Sequence, residues 1–270
     1  MGTARIIVRR LVIPLPRLPR RLAGLRIAHI SDLHFRKRNG TTTAAQKQLI
    51  ALDYDLLVVT GDFADYPRKW PEAIEMMRAF FEPLADRSPI YAVLGNHDDP
   101  RIADAADGPL TFLRNAFTVV DFKGETVVLA GVEQSHSGGE DLATALAAIP
   151  TAGAVILLAH FPSTVFRVPS DRVDLVLAGH THGGQIRLPV VGCLWTNDRL
   201  PLRMARGLTR VGGTLLHASP GIGVSGPIKV RINCPPEISL LTLQPARFAE
   251  SPEVSQLAAP CGVQVGFVKV

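Results

Sequence analysis

The stretch that most constrains this chain is residues 56–62, Leu-Leu-Val-Val-Thr-Gly-Asp. Four apolar residues and a threonine, followed by a glycine and a carboxylate, form the pattern of a short parallel strand buried on both faces. Such a strand delivers its last residues to the carboxyl edge of the sheet, where open α/β folds bind ligands. A strand ending in Gly-Asp is common by itself, because both residues serve turns and helix caps. Here the pattern recurs, at Ser31-Asp32-Leu33-His34, Gly95-Asn96-His97-Asp98, Ala159-His160 and Gly179-His180-Thr181-His182. The repetition predicts an α/β sheet edge that gathers carboxylates, an asparagine and several imidazoles.

Residues 25–30 read as a strand running into Asp32 and His34, and alternation along an extended backbone would put those two side chains on one side. Thr41, Thr42 and Thr43 supply a helix start and residues 44–52 the helix, so the order up to Asp62 is strand, helix, strand. Pro71, at a first helical position, opens a helix carrying Ile74, Met77, Phe80, Phe81 and Leu84. Residues 90–94 form the next strand, and residues 110–115 have the pattern of a short helix. Residues 117–120 and 126–130 read as strands of a partly antiparallel layer. Asp141 can cap an alanine-rich helix reaching Ala148. Residues 155–159 and 173–178 repeat the buried-strand pattern, and the runs 214–218, 228–232 and 238–243 complete a second sheet. The expected organisation is a basic lead-in over residues 1–25 that forms an edge strand, one domain over 26–248 and a tail over 249–270.

Charge separates the lead-in from the rest. Arg5, Arg9, Arg10, Arg17, Arg20, Arg21 and Arg26 precede the first acid, Asp32; setting those seven aside from 29 basic residues leaves 22 against 24 acids. A general nucleic-acid binder would carry its basic stripe within the fold, so nucleic acid is not an expected partner. Arg9-Arg10 invite comparison with a twin-arginine export signal, but prolines and arginines break the apolar stretch that follows and no small-residue cleavage site appears. No run approaches the ~20 apolar residues that cross a bilayer. The expectation is a cytoplasmic monomer, with peripheral electrostatic contact to an anionic inner membrane the option that the arginines leave open. Cys193, Cys234 and Cys261 are too scattered for a disulfide framework or a cysteine zinc site, and each reads as a small buried hydrophobe.

Oxygen and nitrogen ligands without thiolate suit Mn²⁺, Fe²⁺ or Zn²⁺. Two such ions ~3.5–4 Å apart can each hold a phosphoryl oxygen and lower the pKa of a bridging water, creating a hydroxide nucleophile. Asp62 is the candidate for the central, bridging carboxylate. His180 and His182, spaced like Asp32 and His34, can present one ligand to each ion. Isolated His29, His136 and His217 read as hydrogen-bonded core or surface groups. Five strand-end histidines, His34, His97, His160, His180 and His182, read together as a functional site. Gly183-Gly184 is either a plain turn or a place where backbone approaches a phosphate.

Taken in order, Asp32-Leu33-His34, Gly61-Asp62, Gly95-Asn96-His97-Asp98, Ala159-His160 and Gly179-His180-Thr181-His182 resemble the motifs of the calcineurin-like metallophosphoesterases, and Pro235-Pro236-Glu237-Ile238 extends the likeness towards the end. The resemblance implies a four-layer α/β/β/α sandwich with two mixed β-sheets. It implies one divalent metal held by Asp32, His34, Asp62 and His182, and a second held by Asp62, Asn96, His160 and His180. It also implies that His97 acts beside the metals, stabilising transition-state charge or protonating the leaving oxygen, and that Asp65 orients it, a carboxylate partner being able to fix a histidine's tautomer and raise its pKa. Asp98 reads equally well as a surface turn acid.

Protein Ser/Thr phosphatases of that superfamily follow the bridging aspartate with Asp-Arg-Gly and use glutamate after the Asn-His pair; Asp65-Tyr66-Pro67 and Asp98 differ from both. The Gly-His-Thr-His-Gly-Gly-Gln segment ending at Gln185 looks instead like a bacterial branch of membrane-associated phosphodiesterases, some of which resemble hydrolases of the lipid-linked UDP-2,3-diacylglucosamine. The expected activity is that of a phosphodiesterase or pyrophosphatase for a lipid-linked or small-molecule phosphoester. The alternatives are a cyclic-nucleotide phosphodiesterase and an inactive protein-binding scaffold of the same fold, the latter disfavoured because every ligand position is filled.

Overall fold

Alternation along the central strands decides the layering. Within residues 56–60, Leu57 and Val59 join one apolar cluster and Leu56 and Val58 another. A strand that buries both faces needs cover on both; helices supply it on one side and a second sheet on the other.

The computed structural model describes residues 5–36, 40–169, 171–226 and 229–245. The chain runs through β1 (Ile7–Leu15), β2 (Arg26–Ile30), α1 (Gly40–Ala51), β3 (Leu56–Thr60), α2 (Trp70–Phe81), β4 (Ile90–Val93), α3 (Arg101–Ala105) and β5 (Leu110–Phe112). It continues through β6 (Ala116–Phe122), β7 (Glu125–Gly131), α4 (Leu142–Leu146), β8 (Val155–Leu158), β9 (Leu175–Ala178), β10 (Arg187–Leu188), β11 (Gly192–Cys193), β12 (Gly207–Val211), β13 (Thr214–Ala218) and β14 (Glu237–Pro245). Six strands form a first sheet in the order β1-β14-β2-β3-β4-β5, six form a second in the order β12-β13-β9-β8-β7-β6, and β10-β11 is a separate hairpin. Both sheets are mixed: β2 to β5 run parallel with β14 reversed against β2, and β7, β8, β9 and β13 run parallel between antiparallel edges β6 and β12.

Three apolar interfaces hold these layers. Ala45 and Leu49 of α1 and Met77, Phe80 and Phe81 of α2 cover the outside of the first sheet. The sheets meet through Ile27, Leu56 and Val58 on one side and Ile156, Leu158, Leu175 and Leu177 on the other. Ala145, Leu146 and Ile149 cover the second sheet at Val155, Leu157 and Val176. The result is the four-layer α/β/β/α sandwich. Pro71 sits in the first turn of α2, where its missing N–H costs nothing, and the Asp141 carboxylate caps α4 by accepting from the Thr144 N–H at 2.9 Å.

β1 lies at the sheet edge, parallel to β14 along its whole length. Several of the seven early arginines act as clamps: Arg9 to Glu237 at 2.8 Å, Arg17 to Asp174 at 2.9 Å and Arg26, the first residue of β2, to Asp55 at 3.0 Å. Among the described residues no helix is long and apolar enough to cross a membrane.

Three expectations fail. Residues 238–243 do not complete the second sheet: as part of β14 they enter the first, between β1 and β2, where both neighbours supply backbone partners. Residues 110–115 are not a helix; Leu110–Phe112 pair parallel with β4, because an open sheet edge gives their backbone partners that a single helical turn would not. Of residues 228–232, Ile228 lies outside the described residues, and the rest form no strand: Ile232 makes only an isolated bridge to Ile186 while Arg231 turns inward and is buried. Cys261 and the tail over 249–270 also lie outside the described residues.

Candidate functional site

The turns leaving β2, β3 and β9 carry acids and histidines in an unusual backbone state. Asp32, His34, Asp62, His180 and His182 have φ of 53°, 41°, 57°, 66° and 50°. The extended alternation expected for Asp32 and His34 is therefore wrong; left-handed turns, not a continuing strand, bring them to one side. Such residues cost roughly 1–3 kcal/mol each and persist where neighbours over-determine them. Here the Asp32, His34 and Phe35 N–H groups donate to the carbonyls of Gly61, Asp62 and Phe63 at 2.9, 2.9 and 2.7 Å, zipping one strand-end loop onto the next. The segments also approach too closely for side chains at several glycines, Gly95 and Gly179 among them. A Cβ on Gly95 would lie 2.3 Å from Asp62 Oδ1, and one on Gly179 would lie 1.9 Å from Ser31 Oγ.

All seven residues expected to bind metal converge. His34 Nε2 and His182 Nε2 are 3.2 Å apart, and His182 Nε2 lies 3.5 Å from Asp32 Oδ1. Nearby, His160 Nε2 lies 3.0 Å from Asn96 Oδ1 and 3.2 Å from His180 Nδ1. Asp62 Oδ2 stands between these groups, 3.4 Å from both His34 Nε2 and His160 Nε2. Asp32 is central as well: the triads Asp32, His34, His182 and Asp32, Asp62, His160 each have one ligand atom per residue mutually within 4.8 Å.

Backbone carbonyls set the imidazole tautomers. His160 Nδ1–H donates to the Thr60 carbonyl at 2.8 Å and His34 Nδ1–H to that of Ala64 at 3.2 Å, so each Nε2 faces the cluster. His180 Nε2–H donates to the Asn197 carbonyl at 3.3 Å, which turns its Nδ1 inward. Burial pushes His34 down to about 3 and His180 down to about 4, and holds His182 well below the ordinary histidine range with help from His34 and Arg231. Burial lowers His160 too, but the Asp62 and Asp32 carboxylates outweigh it and raise this group to about 9. Burial alone would lift Asp62; His160, His34 and His97 instead hold it well below the usual carboxylate range. Burial lifts Asp32 to about 6. The neutral imidazoles of His34, His180 and His182, two buried carboxylates and His160, once it gives up its extra proton, converge as a donor set that divalent cations satisfy.

His97 sits at the rim, its ring edge-on to His34 with centroids 5.0 Å apart. Its Nδ1–H donates to Asp65 at 2.8 Å, but to the backbone carbonyl. The Asp65 carboxylate, expected to do the orienting, is held by Arg36 at 2.6 Å and Lys229 at 3.3 Å.

Several participants escaped the sequence reading. Asp98 is no surface acid: fully buried, it accepts from the Ala64 N–H at 2.8 Å and the Gly95 N–H at 2.9 Å, tying two strand-end loops together. Arg231 is buried with Nη2 3.3 Å from His182 Nδ1, and it donates to the Pro220 and Gly223 carbonyls at 2.8 and 2.5 Å. Neither offers a local signal, since acids in turns and single arginines are ordinary. Gly183 and Gly184 are small because Cys234 and Cys193 pack against them; added Cβ atoms would come within 2.8 and 2.2 Å of the two sulfurs. His29 and His217 are core groups, joined Nδ1 to Nδ1 at 3.0 Å, and His136 is an exposed loop residue.

A family model described as calcineurin-like phosphoesterase matches residues 25–184. The chain is 34% identical over 204 residues to a metallophosphoesterase of Aquifex aeolicus, covering 70% of this chain and 73% of that protein. It is 27% identical over 230 residues to the phosphodiesterase YaeI of Escherichia coli, covering 82% and 83%. It is 26% identical over 242 residues to the metallophosphoesterase YkuE of Bacillus subtilis, covering 84% and 82%.

Proposed function

The chain belongs to the calcineurin-like phosphoesterase family, and from that premise we propose that this metal-dependent hydrolase is a phosphodiesterase or pyrophosphatase acting on a lipid-linked or small-molecule phosphoester. One divalent cation would be held by Asp32, His34, Asp62 and His182, the other by Asp62, Asn96, His160 and His180, with Mn²⁺, Fe²⁺ or Zn²⁺ suited to the donors. The observation that carries the reading is the position of Asp62 Oδ2, 3.4 Å from the inward nitrogens of both His34 and His160. When bound, divalent cations supply Lewis acidity towards phosphoryl oxygens and lower the pKa of water.

The residues of the chain do the rest. Thr60, Ala64 and Asn197 hold three imidazoles in the ligating orientation through their carbonyls. Asp62 Oδ1 accepts the His97 N–H at 2.9 Å, coupling the central carboxylate to the rim. With His97 Nδ1–H engaged by Asp65, Nε2 is the atom that would carry a proton to the leaving oxygen or face developing charge. The lipid-linked substrate class, with UDP-2,3-diacylglucosamine as its chemical example, rests on the resemblance of the residue 179–185 segment.

The test is turnover by purified, Mn²⁺-loaded protein on a bis-aryl phosphodiester, phosphomonoesters, cyclic nucleotides and nucleotide-diphosphate lipids. Preferential hydrolysis of the diesters or diphosphate lipids is expected. A preference for cyclic nucleotides would replace the substrate class, and inactivity on all four with little bound metal would leave only a scaffold.

A further inference from the structure

We infer that the β10-β11 hairpin and the loop after it form a contact element that seats the protein on an anionic lipid bilayer. The hairpin pairs Arg187 with Cys193 and Leu188 with Gly192. Leu188, Val190, Val191, Leu194, Trp195 and Leu202 are exposed, half of the twelve large exposed hydrophobics among the described residues. Single exposed apolar residues are ordinary, but six within one short stretch mark contact with another phase or chain. Val190 is wholly exposed and has φ of 68°, a state that a β-branched residue adopts at a cost and that glycine would adopt freely. No packing within the fold repays that cost.

Charge selects the occupant. Residues 186–205 contain three arginines, Arg187, Arg199 and Arg203, against one acid, Asp198. Asp198 is engaged internally, accepting from the Ser163 hydroxyl at 3.2 Å and the Leu200 N–H at 2.9 Å. Arg199 and Arg203 are exposed beside the apolar residues. A second copy docked face to face would set arginine against arginine, whereas lipid phosphates complement the cations and acyl chains the valines and leucines. Trp195 has the amphipathic ring that favours the headgroup level.

The patch adjoins the metal-binding residues. Asn197 supplies the carbonyl for His180, and Cys193 fills the space over Gly184. The inference deepens the proposed function, resting on it for a substrate carried in the membrane, while lipid contact is measured separately from hydrolysis. Trp195 reports directly, because Trp70 is the other of two tryptophans. The full chain carrying Trp70→Phe is mixed with vesicles of phosphatidylglycerol and phosphatidylcholine in equal parts, and with phosphatidylcholine alone. With the anionic vesicles, Trp195 emission should shift to the blue and be quenched by brominated acyl chains. Val190→Asp with Val191→Asp should weaken binding at least about tenfold and leave hydrolysis of a soluble bis-aryl phosphodiester unchanged; Arg199→Glu with Arg203→Glu should also weaken it. Unchanged emission, equal binding by the aspartate variant, or dimerisation that this variant abolishes would overturn the inference. Vesicle binding without hydrolysis of any phosphoester would uphold the contact and remove the proposed function.

Discussion

The Nε2 atoms of His34 and His182 face each other 3.2 Å apart in stacked rings whose centroids are 5.1 Å apart. Burial keeps both rings neutral, so a shared cation is the partner that suits the pair. Stripping divalent metal with a chelator should lower Tm, and returning it should restore stability by mass action, about 2.7 kcal/mol at a hundred times Kd. Calorimetry with Mn²⁺, Fe²⁺ and Zn²⁺ added in turn checks this; a Tm indifferent to all three would remove the metal reading.

Asp62 and His97 should separate metal binding from chemistry. Asp62→Asn is expected to abolish turnover and disturb both ions. His97→Ala should keep metal content near normal and lower kcat by roughly 10²–10⁴-fold, the usual scale for a lost general acid. Elemental analysis with steady-state kinetics decides, and the reverse pattern would overturn the roles.

Asp98 should make the metal-free fold sensitive to pH. Burial first and the Asp62 carboxylate second raise its folded pKa to about 8 from 3.8. The folded chain then binds the extra proton, so the stabilisation is complete below 3.8 and is lost as pH rises through about 8. Urea unfolding of chelator-treated protein across that window should show the decline. Asp98→Asn should flatten it, at a cost of about 1–3 kcal/mol because its Nδ2 would face a backbone N–H that now has an acceptor.

Gly179→Ala tests the closeness of the strand ends. The added Cβ would lie 1.9 Å from Ser31 Oγ and 2.5 Å from Asp32 Oδ2, so Asp32 must move. A displacement of this kind is expected to lower kcat/KM by about 10²-fold or more while the far-ultraviolet dichroism stays that of the parent. Full activity would mean that the loop gives way elsewhere.

The residues that gather were legible because each follows a short buried strand, and burial on both faces is written in consecutive apolar residues such as Leu56 to Val59. Turn conformation was less legible. Asp32 and His34 looked like neighbours on an extended backbone, yet their left-handed φ values follow from hydrogen bonds to Gly61 and Asp62, some 30 residues away in sequence. Leu110–Phe112 read as helix because nothing local records the unpaired edge of β4.

By itself, then, the sequence determined which side chains are available and where strands deliver them, since apolar periodicity and strand-end chemistry are local properties. Only the tertiary structure decided what each polar atom does: that Asp65 serves His97 through its carbonyl, that Asp98 is a buried tie, and that Asp62 Oδ2 stands between two histidines. Those roles depend on desolvation and on distances of a few ångströms between remote segments, which exist only once the two sheets have packed.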